Sequence, residues 1–238
     1  MDAVDSSETE IAPPPTDDMA EIERRLAMPF LEAADSQRAV RRVLPDPVDE
    51  RIVLRCIELA LEAPTGSNGQ NWEFVVVTDR SLKERLAAQY RRSWGLYGWL
   101  GRRLRGGDEQ TARILRSVQW QVDNFADIPV LVVCCLGPGS KVPFVPLPPM
   151  ITSSHYGSIY PSVQNLLLAA RAVGLGSSLI TLPLWSQTIA RRILGLPVTV
   201  EPCCVVPLGW PKGRYGPKPR KPVGHVVHKE RYGVQPWR

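Results

Sequence analysis

The stretch Pro64-Thr65-Gly66-Ser67-Asn68-Gly69-Gln70-Asn71-Trp72 joins small residues, which let a ligand approach the backbone, to amide side chains that can read one. Glycine and small hydroxyl residues leave N–H groups accessible where bulkier side chains would cover them. Upstream lies a basic cluster, Gln37-Arg38-Ala39-Val40-Arg41-Arg42, and near the C-terminus a second, Lys218-Pro219-Arg220-Lys221. A polar loop bracketed by two cationic clusters points to a bound anion that carries a flat polar ring. Arg38 and Arg41 are three apart and share a face if their cluster forms a helical turn. One then reaches a terminal phosphate, which the planar guanidinium fork grips with two bonds. The other approaches a ring edge that becomes negative on reduction. A solvated basic turn fits the same spacing.

Other chemistries find no footing. There is no Gly-x-Ser-x-Gly elbow, and His155, His225 and His228 have no partnership with a nucleophile. His225 and His228 sit in a strand-like Val-Val context that would not aim both at one metal. The five cysteines contain no Cys-x-x-Cys spacing, so no metal site is expected. Cys134-Cys135 and Cys203-Cys204 lie inside apolar runs and read as buried free thiols in a reducing compartment. A chain without its own acid–base pair works through a cofactor that carries the reactivity, the protein supplying binding, orientation and electrostatics. No Gly-x-Gly-x-x-Gly joins a strand to a helix, which argues against a Rossmann-type domain.

The elements that must hold these residues follow from periodicity. Residues 19–33 read as a helix with Ile22, Leu26 and Phe30 spaced by four, and 37–42 as a short helix or turn ended by Pro45-Asp46-Pro47. Residues 49–61 read as a helix, 72–78 as a strand, and 81–90 as a helix again. In 91–124, Trp94, Tyr97, Trp99 and Trp120 alternate with Arg91, Arg92, Arg102, Arg103 and Arg105. Such interleaving can stack on bases. Two helices around Gly106-Gly107, forming a lid or a subunit contact, are the expectation. A buried strand follows at 128–136, a Pro-rich loop at 138–149, and a long apolar helix at 157–173 stopped by Gly174-Leu175-Gly176. Residues 177–181 read as a short strand or ligand-facing turn, 184–194 as a helix, and 198–208 as a strand. The segment 209–238 lacks periodicity and is expected to lie across another surface. Helices alternating with apolar strands predict an α+β or α/β sandwich, its central sheet covered on both faces.

The 238 residues, 44% hydrophobic and 22% charged, suit one soluble domain. Residues 1–19 carry six acids and no Lys or Arg, and with Pro13-Pro14-Pro15 they read as a disordered tail before a single domain at 20–238. Beyond residue 19, 29 basic side chains face 18 acidic ones. That excess suits an anionic cofactor. The bases are scattered and no binding motif accompanies them, so nucleic acid is not expected. The apolar stretches are too short for a bilayer span, and the start lacks a signal-peptide pattern, so the expected location is the cytoplasm.

Taken in order, these segments resemble the FMN-dependent nitroreductase family from about residue 35 onward. The family opens with Arg-Arg-Ser-x-Arg and a downstream Pro-Asp-Pro-Val, matched by Gln37-Arg38-Ala39-Val40-Arg41 and Pro45-Asp46-Pro47-Val48. Its Pro-Ser-Gly-x-Asn-x-Gln-x-Trp loop is matched by 64–72. Its central helix and glycine exit are matched by 164–176, and its C-terminal third by Leu194-Gly-Leu-Pro197, Leu208-Gly-Trp-Pro211 and Arg220-Lys-Pro-Val223. The resemblance implies a three-layer α/β/α sandwich with a mainly antiparallel sheet. It implies a homodimer with FMN in the subunit interface and a C-terminal tail over the partner.

By that likeness Arg38, Lys218 and Arg220 hold the phosphate, with Ala39 beside them. Arg41 lies near the N1–O2 edge, and Asn68 bonds the pyrimidine side. Pro64 and Thr65 pack on the flavin from the partner chain, while Ile180, Thr181 and Leu182 offer backbone contacts near N5 and O4. The implied activity is ping-pong: NADH or NADPH delivers a hydride, and a nitroaromatic, quinone or similar small-molecule acceptor takes the electrons. Trp94, Tyr97 and Trp99 are candidates for an aromatic lid. Flavin fragmentation, dehalogenation, azoline oxidation and FMN binding without turnover fit the same fold. Two departures stand out: Gln37 replaces the first Arg and Ala39 the Ser, which removes one phosphate cation and one hydroxyl.

Overall fold

Seven consecutive buried residues, Val130–Leu136, form the strand around which the chain is assembled. The computed structural model describes residues 13–104, 109–138, 149–213 and 218–238. We label the strands β1 (Trp72–Val77), β2 (Val130–Leu136), β3 (Gly176–Ser177) and β4 (Glu201–Gly209); their order is β1-β2-β4-β3, with every neighbouring pair antiparallel. Val75 lies opposite Val133 and Cys134 opposite Cys204, with a register shift between Cys134 and Cys135.

A strand's side chains alternate between faces, and β2 uses both. Val130, Val132, Cys134 and Leu136 belong to one core with Ile22, Ile52, Val163 and Leu166. Leu131, Val133 and Cys135 belong to the other with Leu86, Tyr90, Phe125 and Ile193. The first core is supplied by α1 (Met19–Leu26), α3 (Glu50–Leu61) and α6 (Pro149–Val173); the second by α4 (Arg80–Leu104) and α7 (Gln187–Leu194). The three-layer α+β sandwich anticipated from the sequence is the fold observed. Cys56, Cys134, Cys135 and Cys204 are free and buried within it, and burial pushes the Cys56 and Cys135 thiols up to about 12.

Local signals set the helix ends. The Asp49 carboxylate accepts from the Arg51 N–H at 2.8 Å to start α3, and the Ser186 hydroxyl caps α7. Gly195, at φ 67°, closes α7 in the left-handed conformation that favours glycine. Asp18 caps α1, and residues before it are tied down: Arg25 donates to the Pro14 carbonyl and Arg51 to that of Asp17. The stretch assigned to an acidic tail is therefore anchored from Pro14 onward, and residues 1–12 lie outside the described residues.

Four expectations change. The single helix at 19–33 is two, α1 and α2 (Phe30–Ser36), because Pro29 has no N–H and restricts Met28 before it. Phe30 is consequently exposed instead of continuing the Ile22–Leu26 stripe. The helix expected at 81–90 continues to Leu104 and is followed by α5 (Glu109–Asp123); Gly106-Gly107 and most of the Pro-rich loop lie outside the described residues. The long helix starts earlier than expected and carries Pro161 inside it. The cluster 37–42 is extended, not helical. Ala39 pairs in parallel with Ser177, the Val40 N–H donates to the Ser177 carbonyl at 2.8 Å, and the Leu44 N–H to that of Trp210 at 2.7 Å. Partners distant in sequence claim its backbone.

Candidate functional site

The extended segment 37–42 lies along β3 because Gly176 allows it. A Cβ built there would stand 2.7 Å from Val40 Cγ1 and 3.2 Å from Val43 Cγ1, so only glycine admits so close an approach. Lys218 fastens the chain after β4 to the same place by donating to the Ala34 carbonyl and, at 2.7 Å, to that of Gln37. The third wall is a face of α5, where Gln110, Arg113 and Ile114 recur at helical spacing.

These segments enclose a cleft of about 460 Å³ that brings together Arg38, Ala39, Arg41, Lys218 and Arg220. The volume is in the range of small-molecule sites. Arg113 adds a fifth cation, and no acid is among the described residues that line it.

The Arg41 Nε is buried and has no hydrogen-bond partner among the described residues. Burial above all holds the Arg41 guanidinium below its ordinary range, the nearby Arg38 charge acting the same way and Tyr90 opposing. Burial likewise lowers Lys218, helped by Arg220 and opposed by Asp35. A buried donor without a partner costs about 1–3 kcal/mol. Several cations facing one space repel one another until an anion enters. The arrangement fits the phosphate of a nucleotide-like cofactor, and the orphaned Arg41 donor fits the acceptor-rich edge of its ring.

Behind Arg41 the wall is hydrogen-bonded. The Tyr90 hydroxyl donates to Gln121 Oε1 at 3.4 Å, and Gln121 Nε2 to Ser178 Oγ at 2.9 Å, joining α4, α5 and the end of β3. Burial pushes the Tyr90 phenol up to about 12, against the pull of Arg41.

The other anticipated residues are distributed differently. Ile180 exchanges both backbone bonds with Val205, at 3.0 and 2.8 Å, so its backbone has no N–H to offer a flavin. Sheet pairing spends that group, which corrects the expected contact. Thr181 and Leu182 head a 3-10 turn, and their N–H groups donate to nothing among the described residues. Ser93 Oγ holds the turn by donating to the Leu182 carbonyl at 2.9 Å.

Pro64, Thr65 and Asn68 do not line the cleft. Their loop packs on α6, where the Gly66 N–H donates to Ser158 Oγ at 3.2 Å, and Thr65 Oγ1 accepts from the Gln70 N–H at 3.1 Å. Ser67, Asn68 and Gln70 have φ of 52°, 53° and 45°, and residues 66–70 are exposed. Several non-glycine residues held in that region are a strained arrangement of the kind concentrated at ligand sites.

Trp94 is 5% exposed and donates from Nε1 to Gln119 Oε1 at 2.7 Å. It joins α4 to α5 inside the second core and presents no lid surface, a correction that leaves Tyr97 and Trp99, about half exposed, as the aromatic face. Sequence reasoning missed Gln110, Arg113 and Ile114; their common helical face was the one available signal.

Comparison with known proteins identifies the family and the fold. Residues 34–210 match the model of the nitroreductase family. An NADH dehydrogenase from Thermus thermophilus is 30% identical over 218 residues, covering 84% of this chain and 97% of that one. Two solved structures, each 22% identical, share the fold. One is NADPH:FMN oxidoreductase from Vibrio harveyi complexed with NAD+, with a TM-score of 0.64 over 85% of this chain and 77% of that one. The other is an oxidised iodotyrosine deiodinase bound to FMN and 3-iodo-L-tyrosine, with a TM-score of 0.61 over 84% of this chain and 98% of that one.

Proposed function

The chain belongs to the nitroreductase family, and on that premise we propose that it is an FMN-dependent oxidoreductase that uses NADH or NADPH to reduce a nitroaromatic, quinone or similar small molecule. The observation that carries this reading is the buried Arg41 donor, without a partner among the described residues, in a cleft whose described lining holds four further cations and no acid. FMN, when bound, supplies the two-electron chemistry that passes reducing equivalents from nicotinamide to acceptor in ping-pong fashion.

The protein's residues bind and orient. Arg38, Lys218 and Arg220 neutralise the phosphate, with Ala39 leaving room beside them. Arg41 places positive charge where the reduced ring becomes negative, favouring reduction. The Thr181 and Leu182 N–H groups are free to meet ring acceptors. Pro64 and Asn68, exposed, and Thr65, half-buried, lie away from the cleft of their own chain and serve the flavin bound in a second copy, so the working form is a homodimer. Tyr232, 94% exposed, and Trp237, 57% exposed, support a C-terminal segment that packs over the partner. Residues 20–238 act as one FMN-binding domain, and the cytoplasm is the proposed location. No helix among the described residues is long and apolar enough to cross a membrane.

A second reading keeps the site and changes the acceptor to a halogenated aromatic, favoured by the likeness to the deiodinase. Both are tested by titrating the purified protein with FMN, then adding NADH or NADPH without oxygen. Loss of the oxidised-flavin absorbance identifies the donor, and its return with a nitroaromatic, a quinone or an iodophenol identifies the acceptor class. Protein that binds FMN but is never reduced by either nicotinamide refutes the enzymatic reading.

A further inference from the structure

We infer that Arg113 of α5 is a phosphate ligand that makes this site prefer phosphorylated flavin and couples cofactor binding to the position of α4 and α5. The inference rests on the FMN reading above. Arg113 shares its helical face with Gln110 and Ile114, and all three look into the cleft that Arg38, Lys218 and Arg220 line from other segments. Its one ion pair among the described residues is with Glu109, at 3.8 Å, with both side chains mostly exposed. Such a pair is weak, so the guanidinium can turn to a better anion at little cost. A phosphate dianion offers one, with bidentate geometry. The cation missing at Gln37 is thereby replaced from a different part of the chain.

The coupling follows from the rest of the helix. On the turns after Arg113, Gln119 accepts from the Trp94 indole and Gln121 bonds both Tyr90 and Ser178. An anion that draws Arg113 inward fixes one end of α5. The other end already holds α4, which carries the exposed Tyr97 and Trp99.

The test compares FMN with riboflavin, which lacks the phosphate, by fluorescence titration of the wild type, Arg113→Ala and Arg113→Lys. Arg113→Ala should weaken FMN about tenfold, as expected for loss of one charge-assisted bond, and leave riboflavin unchanged; Arg113→Lys should recover part of the loss. Hydrogen exchange should show α5 protected by FMN and not by riboflavin. Unchanged FMN affinity in Arg113→Ala, equal weakening of both flavins, or an α5 indifferent to FMN would each overturn the inference. A wild type that binds neither flavin defeats the functional reading itself, a result distinct from FMN binding that survives the loss of Arg113.

Discussion

Replacing Arg41 with methionine should stabilise the empty protein and weaken its hold on FMN, so that the order of stability reverses when the cofactor is added. Among the described residues the Arg41 Nε is buried and has no hydrogen-bond partner. Such a donor costs about 1–3 kcal/mol. The side chain as a whole is only half-buried, so we take the lower end, about 1 kcal/mol. Methionine keeps most of the aliphatic packing and removes the donor and the charge. For a chain of this size that gain raises Tm by about 2–4 °C.

With FMN the balance turns. Losing a hydrogen bond between charged groups costs about 1.5–3 kcal/mol, roughly 10- to 100-fold in Kd. At an FMN concentration about 100 times the wild-type Kd, binding stabilises the wild type by about 2.7 kcal/mol. A variant whose Kd is about 30-fold weaker gains only about 0.9 kcal/mol under the same conditions. Together with its head start of about 1 kcal/mol, it ends about 0.8 kcal/mol behind. Thermal unfolding of both proteins with and without FMN, followed by far-ultraviolet circular dichroism, reads the crossover directly. An empty variant that melts earlier than the wild type, with an unchanged shift on adding FMN, would make Arg41 a structural residue and refute the reasoning.

Three more outcomes are expected. Gly176→Ala should push Val40 and Val43 away from β3, because the new methyl falls 2.7 Å from Val40 Cγ1; overpacking of this kind costs about 1–3 kcal/mol, and FMN affinity should fall with stability in parallel titration and urea unfolding. Leu131→Ala, fully buried in the second core, should lower stability by about 2–5 kcal/mol as measured by urea unfolding. Tyr90 should ionise late: its folded value, raised by burial to about 12, means that the native state holds the proton more tightly than the unfolded chain, whose tyrosine titrates near 10. Its contribution to stability is complete below that unfolded value and is lost as pH rises through about 12. Burial raises Tyr156 and Tyr160 as well, so Tyr90→Phe should reduce the late tyrosinate absorbance by one residue's share and leave the rest in place.

What could be read from the sequence was what neighbours along the chain decide. The caps of α3 and α7, the apolar run of β2 and the glycine exit of α6 are local signals, and each produced the expected element. Arg38, Arg41, Lys218 and Arg220 were picked by type and order, and they do meet in one cleft. The route to that result was different: Arg38 and Arg41 converge from an extended strand edge, because Ser177 claims the Val40 N–H, and not from a helical turn. Trp94 looked like surface because arginines surround it, yet Gln119, 25 residues away, gives its indole a buried partner. Arg113 was invisible for the converse reason. An arginine on a mixed helix face reads as solvated until the opposite wall of the cleft is known.

Lys218 reaches back across 181 residues to the Gln37 carbonyl, and this span makes the cleft a late product of synthesis. A ribosome completes α1 to α6 and the whole of β4 before the residues that close the cationic site emerge. Chains ending just after Trp210 contain the four strands and the residues of both described cores, but only part of the anion grip. On the proposed function, FMN retention distinguishes a product that includes Arg220 from such a fragment, and FMN loading becomes a readout of translation through Arg220 as well as of folding.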